Sequence, residues 1–325
     1  MKILDEKLAR LRKGYRPADF IIADAKDGDM GFGLTAPGPV AGQPGRWKTK
    51  PQYLAAMTEM TESGLVDIML MSASSAEALA ATGLFARTGV TPAVRLNDTT
   101  DIWTMRGQRY KEVPSRPFRS AQIAKVRPFS DLGLYSMTFS NDVERDLANV
   151  EAYHAFREDA AAHRMRHFLE IFNPNVDIGL KGDELAGFIN DAIVRSLAGL
   201  VSSEQPLFLK MAYNGARAME ELASYDPGNL IVGILGGAKG TTRDTFELVS
   251  QAAKYGARVA LFGRKINLAE SPIELVALMR QVIEGGVSPA EAVRAYHDKL
   301  HKHGLTPNLA LEKDGEITEA VLKAG

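Results

Sequence analysis

The run "PLFLKMAYNG", residues 206–215, sets one lysine, Lys210, among Leu and Phe just before the chain turns polar. An ammonium in such company is costly to desolvate, so its presence there points to chemistry. Desolvation or a neighbouring cation favours the neutral amine. A neutral amine attacks a carbonyl carbon to give a Schiff base. Glu170, in "HFLEIF" (167–172), could move protons while a carbinolamine forms and a carbon–carbon bond breaks. Asp24, in "FIIAD" (20–24), could share those transfers or orient a substrate hydroxyl.

Side chains alternate along a strand. That parity couples Ile22 with Asp24, Ala93 with Arg95, Phe168 with Glu170, Phe208 with Lys210, and Phe262 with Arg264. Each pair reads as an apolar layer below a polar one. A ring of Asp24, Arg95, Glu170, Lys210 and Arg264 would then floor a pocket for an anionic substrate. The alternative is a buried ion-pair network, or charges at strand ends that reach water. A second signal lies in "GILGGAKG" (233–240), with Gly236, Gly237 and Lys239, and in "ALFGRKIN" (260–267), with Gly263 and Arg264. Glycine-rich loops of this kind can offer backbone N–H groups to a phosphate. They can also serve tight turns alone.

The elements that must position these residues are short β-rich runs alternating with amphipathic helical stretches. Strands are expected near 20–24, 66–71, 92–96, 132–139, 167–172, 206–210, 230–235 and 258–263. Helical patterns lie between, as in "KPQYLAAMTEMTES", "SAEALAATGLFAR" and "DELAGFINDAIVRSLAGL". Ser271-Pro-Ile-Glu274 and Ser288-Pro-Ala-Glu291 read as capping boxes with proline at the first helical position. Eight β-then-α units predict one (β/α)₈ TIM barrel occupying residues 1–325 as a single domain. An open doubly wound sheet is the rival, and the lack of a G-x-G-x-x-G after the first strand speaks against it. Extended loops are expected after strands one and three: "APGPVAGQPGRWK" (36–48), and residues 98–130 with Trp103 and Tyr110. Both would leave the face where barrel active sites sit.

Composition narrows the field further. The chain has 325 residues, no cysteine and a formal net charge of −1. Disulfides, thiolate metal sites and a cysteine nucleophile are excluded, and there is no global pull toward nucleic acid or anionic membrane. No run approaches the roughly 18 apolar residues of a membrane span. The first twenty residues carry no secretory pattern, so cytoplasmic residence is expected. Arg106, Arg109, Lys111, Arg116, Arg119, Lys125 and Arg127 have Glu112 as the only acid among them. That run reads as a solvated loop or subunit contact in preference to a nucleic-acid grip. His301 and His303 lie in a charged stretch and read as solvent-exposed, not as metal ligands.

These residues together resemble the class I aldolase superfamily, which includes the DhnA-type fructose-bisphosphate, tagatose-bisphosphate and deoxyribose-phosphate aldolases. The resemblance runs over most of the chain and is best from about 165 to 285. "FLEIF" is similar to the fifth strand of tagatose-bisphosphate-type enzymes, which implies a proton-transfer role for Glu170. "LFLKMAYNG" is similar to their sixth strand, which implies that Lys210 forms the Schiff base. "GGAKGTTRDTFELVSQAAKYGARVALFGRKI" resembles the phosphate-binding end of the DhnA group. "VRLNDTT", with Arg95 and Asn97, resembles its third-strand motif, and Asp24 occupies the place of its first-strand aspartate. That group carries a tyrosine before a proline after strand five, where this chain has Asn173 before Pro174; the acid–base role therefore rests on Glu170.

The resemblance implies a lyase acting on a sugar phosphate. It would need no metal and no cofactor, because the iminium is itself the electron sink. Self-association is expected, since some relatives are large oligomers. Two alternatives stay open. One is an acyl transfer to coenzyme A that uses the same lysine, with the basic 106–127 segment on a nucleotide phosphate. The other is an idle barrel that binds a sugar phosphate and acts as a regulator.

Overall fold

In the computed structural model, which describes residues 2–324, the eight apolar runs become eight parallel strands. They are β1 (Ile21–Lys26), β2 (Ile68–Met71), β3 (Thr91–Arg95), β4 (Leu132–Thr138), β5 (Arg166–Phe172), β6 (Leu209–Met211), β7 (Gly233–Leu235) and β8 (Val259–Phe262). Each pairs with the next, and β8 returns to β1 with Ile21 opposite Val259 and Asp24 opposite Phe262. The sheet is therefore a closed (β/α)₈ barrel, as the alternation predicted.

The strands are buried on both faces. Ile21, Ala23, Ile68, Leu70, Ala93, Leu134, Phe168, Phe208, Val259 and Leu261 form the interior cluster. Ile22, Met69, Val94, Tyr135, Leu169, Ile171, Leu209 and Phe262 pack outward against the helices. The helix Ile3–Leu11 adds Leu4, Leu8 and Leu11 to the interior cluster and so seals one end of the barrel. Lys7 fastens it there, donating to Asp67 at 2.9 Å and to the Phe20 carbonyl at 2.8 Å.

Local signals are mostly obeyed. Helix Lys50–Glu62 starts on a reciprocal box between Thr49 and Gln52, and helix Gly182–Ala198 fills its expected place. The stretch 75–87 is not one helix; Gly83, at φ 72°, parts Ala73–Ala80 from Leu84–Arg87. Ser288 forms its full box with Glu291. Ser271 forms only half of one, because Lys299 at 2.5 Å and His303 at 3.1 Å claim the Glu274 carboxylate. The Ser271 N–H turns instead to the Tyr296 hydroxyl at 3.0 Å.

Both long loops rise from the ends of β1 and β3 and meet. Thr104 N–H donates to the Gly31 carbonyl at 2.9 Å. A Cβ on Gly31 would lie 2.7 Å from the Ile102 carbonyl oxygen, so this approach needs glycine. Within the second loop Trp103 stands edge-on to Tyr110 and Phe118, at 5.2 and 4.8 Å.

Two stability measurements follow. Leu4→Ala removes a fully buried plug side chain and should cost about 2–5 kcal/mol, read as a lower urea midpoint at unchanged slope. His167 is buried on β5, 2.7 Å from the Tyr153 hydroxyl. Burial, aided by Arg157, pulls its pKa from 6.5 to about 4. Between those values the unfolded chain binds a proton that the folded chain refuses. Stability should be whole above pH 6.5 and fall by on the order of 3 kcal/mol as pH drops toward 4. Urea titrations across that window should lose this slope in His167→Gln.

Candidate active site

β5 and β6 run side by side with Glu170 directly opposite Lys210. Parity along each strand turns both side chains into the barrel, above the stacked rings of Phe168 and Phe208, whose centroids are 4.7 Å apart. The Lys210 Nζ lies 2.6 Å from Glu170 Oε1, and both residues are buried. The other oxygen, Oε2, accepts from Arg95 at 2.9 Å and from the Ser136 hydroxyl at 2.6 Å. Arg95 in turn donates to Ser136 at 2.7 Å and to Asp27 at 2.6 Å. Two carboxylates and two cations thus interlock across β3, β5, β6 and the residue just after β1, with Ser136 of β4 as a neutral bridge.

Electrostatics follow from that geometry. Burial alone would push the Asp27 carboxyl up, but Arg95 and Lys210 outweigh it and hold it below the usual carboxylate range. Burial likewise opposes the Arg95 charge, and Asp27 and Glu170 overcome it, so the guanidinium is a fixed cation. Asn97 serves as a brace: it accepts from Ser136 N–H at 2.6 Å and donates to the Ser136 carbonyl at 2.7 Å.

This network floors a cleft of about 680 Å³. Gly236, Gly237, Gly263 and Arg264 line it, together with Phe32 and Trp47 from the first long loop and Lys111 from the second. Among the described residues the Gly236 and Gly237 N–H groups have no acceptor, and Gly237 takes φ 67°. Arg264 has no carboxylate partner among the described residues; its guanidinium lies 5.6 Å from the Phe32 ring. An anion at this rim would find free N–H groups and an unspent cation.

Two parity expectations need correction. Asp24 faces outward with Ile22 and Lys26, not into the barrel. It meets the Lys26 ammonium at 3.3 Å beside a separate cavity of about 40 Å³ under helix Lys50–Glu62. Burial, partly opposed by Lys26, raises its pKa. The carboxylate that reaches the site from the first strand is Asp27, which the sequence reading missed. On β8 the inward residues are Leu261 and Gly263, and Arg264 reaches the cleft from the short helix Arg264–Asn267 that follows. The Lys239 side chain is not among the cleft lining. Its carbonyl accepts from Lys265.

Three of the seven residues of the basic run are spent within the fold. Arg109 pairs with Glu112 at 3.0 Å, Arg119 with Asp159 at 2.8 Å, and Arg127 with two backbone carbonyls. Asn173, standing where the DhnA group has tyrosine, exchanges amide hydrogen bonds with Asn214 at the cleft edge. No group of three His, Asp or Glu among the described residues stands close enough to hold a metal. None of their helices is long and apolar enough to cross a membrane.

No protein-family model matches the chain, and no curated protein does. Solved structures do. A fructose-bisphosphate aldolase from Slackia heliotrinireducens superposes with TM-score 0.64 at 12% identity, over 91% of this chain and 90% of that one. An archaeal fructose 1,6-bisphosphate aldolase gives 0.61 at 13% identity, over 87% and 100%. An archaeal aldolase with its catalytic Lys covalently bound to the carbinolamine intermediate gives 0.60 at 14%, also over 87% and 100%. The chain therefore shares the closed (β/α)₈ barrel fold of these aldolases.

Removing the central cation tests the network. Arg95→Met leaves Asp27 and Glu170 facing each other without their shared partner, and should cost about 3–5 kcal/mol. Chemical denaturation of the variant beside wild type at pH 7 reads the loss directly.

Proposed function

We propose that this chain, acting as one barrel domain, is a Schiff-base-forming aldolase of a phosphorylated ketose. The observation that carries the reading is Lys210 Nζ at 2.6 Å from Glu170 Oε1 on the floor of a cleft. An ammonium must shed a proton before it can attack a carbonyl, and Glu170 stands within hydrogen-bond reach to take it. Attack on the ketose carbonyl gives a carbinolamine, and the proton on Glu170 returns to its hydroxyl as that leaves as water. The resulting iminium accepts the electron pair of the breaking carbon–carbon bond while a carboxylate removes the proton of the adjacent hydroxyl. Asp27, fixed by Arg95, takes the role expected of Asp24, either in that transfer or in holding a hydroxyl. The substrate phosphate would sit on Gly236, Gly237, Gly263 and Arg264, which line the same cleft.

Borohydride reduction in the presence of a ketose phosphate should leave the sugar covalently on Lys210, located by peptide mass. An adduct on another residue, or none with a substrate that is turned over, overturns the mechanism. Lys210→Met should abolish both adduct and turnover. Glu170→Gln should lower kcat by about 10²- to 10⁴-fold. Asp27→Asn should lower kcat, whereas Asp24→Asn should lower only the thermal midpoint, because its side chain faces the helix layer. Comparing the two variants separates them in one assay.

A further inference from the structure

The segment Asp314–Leu322 does more than finish the chain. It crosses the same face of the barrel as the cleft and bonds directly to the segments that follow β7 and β8. On the helix Thr242–Lys254 that follows β7, Gln251 donates to the Leu322 carbonyl at 2.8 Å and accepts at 3.1 Å from the hydroxyl of Tyr213, three residues beyond Lys210, so the segment reaches the end of β6 only through Gln251. After β7, the fully buried Asp244 carboxylate accepts from Thr318 N–H at 2.7 Å, the Thr318 hydroxyl at 2.5 Å, Glu319 N–H at 3.2 Å and Thr241 N–H at 3.0 Å. Burial pushes its pKa up, and these donors more than reverse that. After β8, the fully buried Lys265 ammonium donates to the Glu319 carboxylate at 2.8 Å and to the Lys239 carbonyl at 3.3 Å.

The last contact carries the argument. Lys265 sits next to Arg264, and Lys239 belongs to the Gly236–Gly240 loop, so one buried ammonium couples the two glycine turns that line the cleft. Glu319 is its only carboxylate partner among the described residues. The Glu319 Oε1 also lies 3.2 Å from where a Cβ on Gly240 would stand, so the carboxylate packs directly on that loop. Gly240 itself has φ 60°. A glycine turn has little stiffness of its own, and the rigidity an anion site requires must be supplied by its neighbours.

We infer that Glu319, through Lys265, is a positioning residue that sets the affinity of the Gly236–Gly240 turn and Arg264 for a phosphate group. The inference rests on reading that rim as the phosphate site. Glu319 touches no substrate; it holds the backbone that does. Loosening it weakens phosphate binding and leaves the Lys210–Glu170 pair undisturbed.

Inorganic phosphate is the probe, titrated calorimetrically against wild type and Glu319→Gln. Wild type should bind it competitively with the ketose phosphate, and Glu319→Gln should bind about tenfold more weakly, as the loss of one charge-assisted hydrogen bond implies. In turnover, KM for the phosphorylated substrate should rise by a similar factor with kcat held. The extent of borohydride labelling by an unphosphorylated ketone should not change. Glu319→Asp should recover part of the affinity. A stability loss in Glu319→Gln is separated by Lys265→Met/Glu319→Gln, which leaves no unpaired ammonium and should regain the thermal midpoint but not the affinity. If wild type binds no phosphate, the reading of the rim falls. If wild type binds and Glu319→Gln binds equally, the positioning role alone falls.

Discussion

Two carboxylates and two cations share the mouth of a barrel whose interior below them is lined mainly by aliphatic and aromatic side chains. Asp27, Arg95, Glu170 and Lys210 lie within reach of one another above the Phe168–Phe208 stack. Removing four charges from water is unfavourable, and only close mutual contact offsets it. Arg95 makes that contact possible, since its planar fork serves Asp27, Ser136 and Glu170 together. Arg95, Glu170 and Lys210 come from three different strands, and Asp27 is the residue just after β1. The closure of the barrel is therefore what holds the network together, and the network fixes where the amine points.

The two ends of the barrel divide the work. One end is sealed by Leu4, Leu8 and Leu11 and locked by Lys7 on Asp67, contacts that serve stability. The other end carries the long loops, stitched at Gly31, and the glycine turns after β7 and β8. Packing can be dense at the first end because no ligand need enter there. At the second the walls come from loops, and their stiffness is borrowed from contacts such as Glu319 with Lys265.

Strand existence was legible because eight apolar runs recur between helical patterns, and the missing G-x-G-x-x-G after the first strand favoured closure over an open doubly wound sheet. The cue of a charge two places after an apolar residue gave the inward direction correctly on β3, β5 and β6, where the pairs are Ala93 with Arg95, Phe168 with Glu170 and Phe208 with Lys210. On β1 it was not. "IIADAK" is buried at every position, so a barrel strand packed on both faces shows no alternation to read. Parity there was a choice between two sets, Ile22 with Asp24 or Ala23 with Ala25, and the latter leads on to Asp27. β8, "VALF", is equally featureless. Ser136 carried no signal either, since a serine in a β-rich run is commonplace until Arg95 and Glu170 converge on it.

The order and spacing of residues determined by themselves that a barrel would form, that Lys210 and Glu170 would stand on adjacent strands, and that glycine turns would follow the last two. These are local properties: periodicity, turn chemistry and strand order all act over a few residues or along the chain. Only the closed sheet decided which first-strand carboxylate meets Arg95, that Asp24 pairs with Lys26 outside, and that residues 314–322 return to brace the rim. Those outcomes depend on contacts between residues far apart in sequence, where direction of burial and the matching of charge are settled by whatever else arrives in the same place.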